Sequence, residues 1–274
     1  MNKQLQVLTL IAAVGFSGAA NAASVSGQGT WETTLQGRDL DGNPYGIADF
    51  EAYYDTVLNI TWLFNANLGA GSSYDDISGT GSTTDGVMSW TNANAWAANL
   101  NVYGITGWRL PRVSPVDGTT ADDANFSYIG TEDRGYNISA PGTLYAGSTA
   151  SEMAHLFYNT LSNKGYCNPT LSTVSSCSNQ AGYGLVNSGP FPNIQVNSTP
   201  YWSDTGYALN TSLAWYFLFP TGSQDVGIKS ATGSYAWAVH AGDVGASAVP
   251  VPTAVWLFGS GLLGLIGVAR RKKA

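Results

Sequence analysis

The sequence predicts an α+β domain of antiparallel strands and two short helices, set between an N-terminal signal helix and a C-terminal transmembrane helix. Three observations predict it. Short runs rich in aromatic and β-branched residues alternate with Gly-, Pro-, Asn- and Asp-rich stretches, as strands alternate with their turns. Two stretches repeat apolar residues every three or four positions, the period of a helix face. Both ends of the chain are apolar and nearly free of charge over a helix's length.

At the N-terminus, Lys3 precedes an apolar run over residues 5–16, and Ala20-Asn21-Ala22 fits the small-x-small pattern at which export signals are cut. Residues 1–22 are therefore expected to engage the Sec translocon and signal peptidase, and residues 23–248 form the exported domain. That portion is long enough for one core. It holds all 18 acidic residues of the chain. Its basic residues are Arg38, Arg109, Arg112, Arg134, Lys164 and Lys229, which gives a formal charge of −12. So acidic a surface repels nucleic acid and anionic membranes, and argues for a neutral or cation-bridged ligand over a polyanion.

Residues 37–44 contain an Asp41-Gly42-Asn43-Pro44 turn. Asp39, Asp41 and Asn43 alternate as calcium ligands do, but the glycine is misplaced for an EF-hand loop, so a solvated turn is expected. Residues 53–63 read as one or two strands. Residues 69–89 read as a loop, and its Asp75, Asp76 and Asp85 follow no metal-ligand spacing. No metal or other cofactor is expected, since spacing gives calcium no support.

A helix follows, with Ser89 or Thr91 as its cap and Ala93, Trp96, Ala97 and Leu100 as its apolar stripe. Gly107-Trp108-Arg109-Leu110-Pro111 comes next. Pro111 holds Leu110 extended, so Trp108 and Leu110 point one way and Arg109 the other. A structural ion pair for Arg109 competes here with a role in orienting a ligand loop.

These residues carry a resemblance. The helix, Gly-x-x-Gly-Trp-Arg-Leu-Pro, then Tyr201-Trp202-Ser203, then Ala214-Trp215-Tyr216-Phe217, resemble the WRLP family of bacterial surface domains over roughly residues 53–245. That family is similar to the C-terminal domain of the Lcl collagen-like adhesins. The resemblance implies a C-type-lectin-like core, distantly related to formylglycine-generating enzymes. Family members often continue Leu-Pro-Thr-x-x-Glu, whereas Arg112-Val-Ser-Pro-Val116 follows here and no glutamate stands at that place.

Residues 151–161 predict a second amphipathic helix, with Ser151 as cap and Met153, Leu156, Phe157 and Leu161 on one face. His155 lies beside that face, without a second ligand at metal spacing. Cys167 and Cys177 are the only cysteines, and export to an oxidising compartment predicts that they pair. Such a short ring would stabilise the fold by ~3 kcal/mol. Residues 201–241 return to dense aromatic strands. Trp202 and Asp204 match two of the three residues in the Trp-Asn-Asp calcium motif of C-type lectins, with no Glu-Pro-Asn or Gln-Pro-Asp loop to complete it. Trp202, Asp204 and Arg109 are the candidate ligand residues, with Trp202 weighed as core against sugar platform. No nucleophile–base–orienter set can be assembled from His155 and His240, so no catalytic residue is assigned.

Residues 249–269 carry no charge, and as a helix they would reach about 30 Å, enough to cross a bilayer. Arg270, Arg271, Lys272 and Lys273 then act as a cytoplasmic stop. Val249-Pro250-Val251-Pro252-Thr253, followed by this apolar run and basic cluster, resembles the PEP-CTERM sorting signal. The resemblance implies handling by an exosortase at the inner membrane and display on the surface or in the matrix of an exopolysaccharide-producing Gram-negative bacterium. The expected function is non-catalytic binding of glycan or exopolysaccharide. A carbohydrate-active or formylglycine-generating-enzyme-like enzyme is the alternative, and the latter needs reactive thiols.

Overall fold

The computed structural model describes residues 29–42, 50–77, 81–119, 124–231 and 233–245. The signal segment 1–22 and the tail 249–274, with its sorting motif and basic stop, lie outside the described residues. No helix among the described residues is long and apolar enough to cross a membrane.

A one-turn helix α1 (Trp31–Thr34) leads into β1 (Leu35–Arg38). The aromatic stretch after residue 50 resolves into two strands, β2 (Ala52–Asp55) and β3 (Ile60–Leu63). Their tight turn forms because Asp55 Oδ1 accepts the Val57 and Leu58 N–H groups, and Asn59 takes φ 52°. A short strand β4 (Val87–Met88) precedes α2 (Trp90–Asn99). Ser89 caps α2 by accepting the Asn92 N–H, and Ala93, Trp96 and Ala97 are its buried residues. Then come β5 (Trp108–Arg109), β6 (Phe126–Ser127), β7 (Arg134–Tyr136) and α3 (Glu152–His155). Ser151 caps α3 as its sequence predicts. The C-terminal strands are β8 (Tyr201–Gly206), β9 (Leu213–Leu218), β10 (Ser223–Ile228), β11 (Ser234–Tyr235) and β12 (Val239–Ala241).

Two sheets result, and the fold is mostly β. One runs β1-β2-β3-β12-β5 and is antiparallel throughout. The other runs β4-β11-β8-β9-β10-β7-β6, with parallel pairs at β11/β8 and β6/β7. The mixed architecture agrees with the α+β expectation at that coarse level.

The aromatic run 235–241 is not one strand. β11 belongs to the second sheet and β12 to the first, and Ala236, Trp237 and Ala238 pass between them fully buried. Trp237 thereby joins the two sheets. Its ring meets Trp62 at 4.8 Å, Phe191 at 5.0 Å and Phe219 at 6.1 Å, and its Nε1–H donates to the Leu63 carbonyl.

The second helix also departs from the simple pattern. After one α turn it widens into a π-helical turn (Leu156–Thr160), where the Leu161 N–H reaches back five residues to Leu156. Within 152–161 only Asn159 is more than slightly exposed. This helix is therefore enclosed on nearly every side rather than amphipathic. His155 is buried, with Nδ1 3.1 Å from the Ser148 carbonyl.

Candidate functional site

The residues singled out by sequence meet at one junction. Trp108 and Leu110 are buried and Arg109 turns aside, as their alternation requires. Trp108 packs edge-on against His240 and donates from Nε1 to the Ile105 carbonyl. Arg109 meets Glu152 of α3 in a two-pronged ion pair, with Nη2–Oε1 at 2.7 Å and Nη1–Oε2 at 2.8 Å. Glu152 Oε2 also accepts the Arg112 N–H. Burial disfavours the charged guanidinium, and the bonds and charge of Glu152 more than offset that, so the Arg109 pKa is raised. The carboxylate that meets Arg109 comes from a helix 43 residues away.

The other motifs close the same junction. Trp202 is fully buried, and its Nε1–H donates to the Met88 carbonyl, so neither ring face is offered to solvent. Tyr201 is equally buried and accepts the Gln195 N–H on its hydroxyl. The Ser203 carbonyl accepts from Trp90 Nε1 of α2. Asp204 pairs with Arg112 and donates its N–H to the Pro111 carbonyl. Arg109, Trp202 and Asp204 are therefore each engaged inside the protein. The acids of the 69–89 loop are engaged too. Asp75 Oδ2 accepts the Gly71 and Gly86 N–H groups, and Asp76 Oδ2 accepts from Ser89 and Asn92. Carboxylate oxygens of Asp39, Asp41 and Glu51 come within 4.8 Å of one another at the surface. Two of these residues already hold turns, through Gly42 N–H to Asp39 and Leu40 N–H to Glu51.

Cys167 and Cys177 form a disulfide, with Cα atoms 5.2 Å apart. They tie a loop whose base carries a cavity of about 280 Å³. Asn137, Tyr158, Ser162, Asn163, Lys164 and Gln180 supply its polar lining.

The backbone here is unusual. Asn137, Ser139 and Ser162 adopt φ values of 64°, 62° and 53°, a left-handed conformation that non-glycine residues rarely take. Such backbone persists only where its surroundings enforce it, and it concentrates at binding sites. The enforcement is visible. The Tyr158 hydroxyl accepts the Asn137 N–H and donates to the Gly222 carbonyl, while burial pushes its pKa up and keeps it neutral. The Gly165 Cα packs so close that an added Cβ would stand 2.6 Å from that hydroxyl. Asn137 Nδ2 donates to the Tyr128 and Cys167 carbonyls. The π-helical turn ends at Leu161, and Ser162 follows it into the cavity wall.

Sequence reading passed over this corner. Its residues span positions 137 to 180, carry no local periodicity and are assembled by the π turn and the disulfide. One signal was present: Lys164 is one of only two lysines in the exported portion.

The model of the family described as the Lcl C-terminal domain matches residues 51–240. Comparison with curated proteins and with solved structures returns no match.

Proposed function

The chain belongs to the Lcl C-terminal domain family, and from that premise we propose that it is an exported, non-catalytic binding domain for glycan or exopolysaccharide. The observation that carries this reading is the cavity beside the disulfide loop. Sugars present many hydroxyls, and a site for them needs fixed acceptors and donors on a rigid frame. Asn137 and Gln180 hold their amide N–H groups on backbone carbonyls. Their carbonyl oxygens have no donor among the described residues, which leaves them to accept from hydroxyls. Tyr183 is 42% exposed and is held edge-on by Tyr166 at 4.8 Å. It precedes Gly184, whose N–H bonds the carbonyl of the lining residue Lys164, so the chain brings an exposed aromatic side chain into this region.

The enzyme alternative gains no support here. The thiols that a formylglycine-generating chemistry would use are joined to each other. His155 is occupied by a backbone carbonyl and His240 packs on Trp108, both away from the residues that line this cavity. Export, exosortase handling through residues 249–274 and display at the cell surface complete the proposal, and rest on the sequence signals of the two ends.

The test is a panel of immobilised polysaccharides probed with the chain purified in detergent. Retention on at least one glycan, lost on competition with its soluble oligomer, is expected. Failure to retain any glycan defeats the proposal.

A further inference from the structure

The exported portion holds six basic residues against 18 acidic ones, so a cation without a carboxylate partner is unexpected. Four of the six are paired: Arg38 with Asp243, Arg109 with Glu152, Arg112 with Asp204 and Arg134 with Asp225. Lys229 lies over the Trp90 ring at 4.2 Å and donates to the Thr211 carbonyl. Lys164 alone has no partner for its ammonium among the described residues. Among the described residues it is also the one charged side chain lining the cavity. Its backbone is fixed, because its carbonyl accepts the Gly184 N–H and the flanking Tyr166 N–H bonds Thr221.

We infer that this cavity takes a sugar unit bearing a single carboxylate, a uronic acid residue, with the carboxylate on Lys164 and its hydroxyls on Asn137 Oδ1, Ser162 Oγ and Gln180 Oε1. The inference rests on the glycan reading above and narrows it. The chemistry of each group fits. The two amide oxygens accept from hydroxyls, the serine accepts or donates, and the ammonium supplies the one cationic donor. No carboxylate of the described residues lines the cavity, so an anion entering it meets no like charge from them. A volume of about 280 Å³ falls near the lower end of ligand sites and suits one sugar ring rather than several.

Global and local charge act at different ranges. The charge of −12 opposes a densely charged polymer during approach, out to one Debye length of ~8 Å, beyond which salt screens it. At contact the lone ammonium decides. A polymer with sparse carboxylates satisfies both conditions, and a heavily sulfated one does not.

The experiment measures binding of the full chain, in detergent and with EDTA to remove bridging cations. The probes are neutral oligosaccharides that carry a single uronic acid residue, the same oligomers with that carboxyl reduced to an alcohol, and heparin. The acidic oligomer should bind more tightly than its reduced counterpart. Lys164→Gln should weaken the acidic oligomer by about 10- to 100-fold, the range for a hydrogen bond to a charged group, and leave the reduced one unchanged. Lys164→Arg should retain most of the affinity. Lys164 is exposed, and an unaltered melting temperature will show that the variants are folded. If both oligomers bind equally, or Lys164→Gln changes nothing, the glycan reading stands and the uronate inference falls. If heparin binds more tightly than the singly charged oligomer, diffuse attraction to polyanions replaces it. If no glycan binds, the proposed function falls with it.

Discussion

Removing the Glu152 carboxylate by Glu152→Ala should cost the domain more than any ordinary surface change. Its two oxygens accept three hydrogen bonds: two from the Arg109 guanidinium and one from the Arg112 N–H. The side chains of Arg109 and Glu152 are only 17% and 12% exposed. The variant would leave a largely buried guanidinium without its anion and a backbone donor without an acceptor. Breaking a fully buried pair costs roughly 3–5 kcal/mol, and the remaining solvent contact reduces this to about 2–4 kcal/mol here. For a domain of this size each kcal/mol lowers the melting temperature by about 2–4 °C, so a fall of about 4–16 °C is expected by calorimetry. Arg109→Met combined with Glu152→Leu should recover part of the loss, because it removes the stranded charge. A Glu152→Ala protein that melts within about 2 °C of the parent would refute the argument and reduce the pair to a solvated bridge worth ~0–1 kcal/mol.

Trp202→Ala should destabilise by about 3–5 kcal/mol in chemical denaturation, since it empties a fully buried indole site and frees the Met88 carbonyl. An unchanged midpoint would overturn the core role of Trp202. Burial raises the Asp55 pKa above its ordinary 3.8, only partly countered by the N–H bonds from Leu58 and Val57. The folded state then binds that proton more tightly than the unfolded state. The contribution of Asp55 to stability is therefore fullest below pH 3.8 and declines as pH rises through the raised value. Asp55→Asn should flatten that part of the stability–pH curve, and an identical slope in parent and variant would reject the assignment. Mass spectrometry of the surface form should find the chain ending near Val251, and recovery of intact residues 270–274 would remove the exosortase from the proposal.

What the sequence determined by itself was local. The spacing of Ala93, Trp96 and Ala97 was enough to place α2 and to narrow its cap to Ser89 or Thr91, because a helix face and its first turn involve only neighbours; the structure chose Ser89. Two cysteines in an exported chain left one intramolecular pairing. The alternation of Trp108, Arg109 and Leu110 showed which side chains would be buried, but not what Arg109 would meet. Only the tertiary structure chose Glu152, since that contact depends on where α3 docks. It also made a central strand of β10, whose buried Gln224 is satisfied by Ser151 and the Asp133 carbonyl rather than by an apolar pattern. It divided residues 234–241 between two sheets, although their composition is uniformly strand-like. And it built the cavity around Lys164 from a π turn, three left-handed residues and a disulfide. No periodicity announces that combination, because each of its parts is held by contacts between residues distant in the chain.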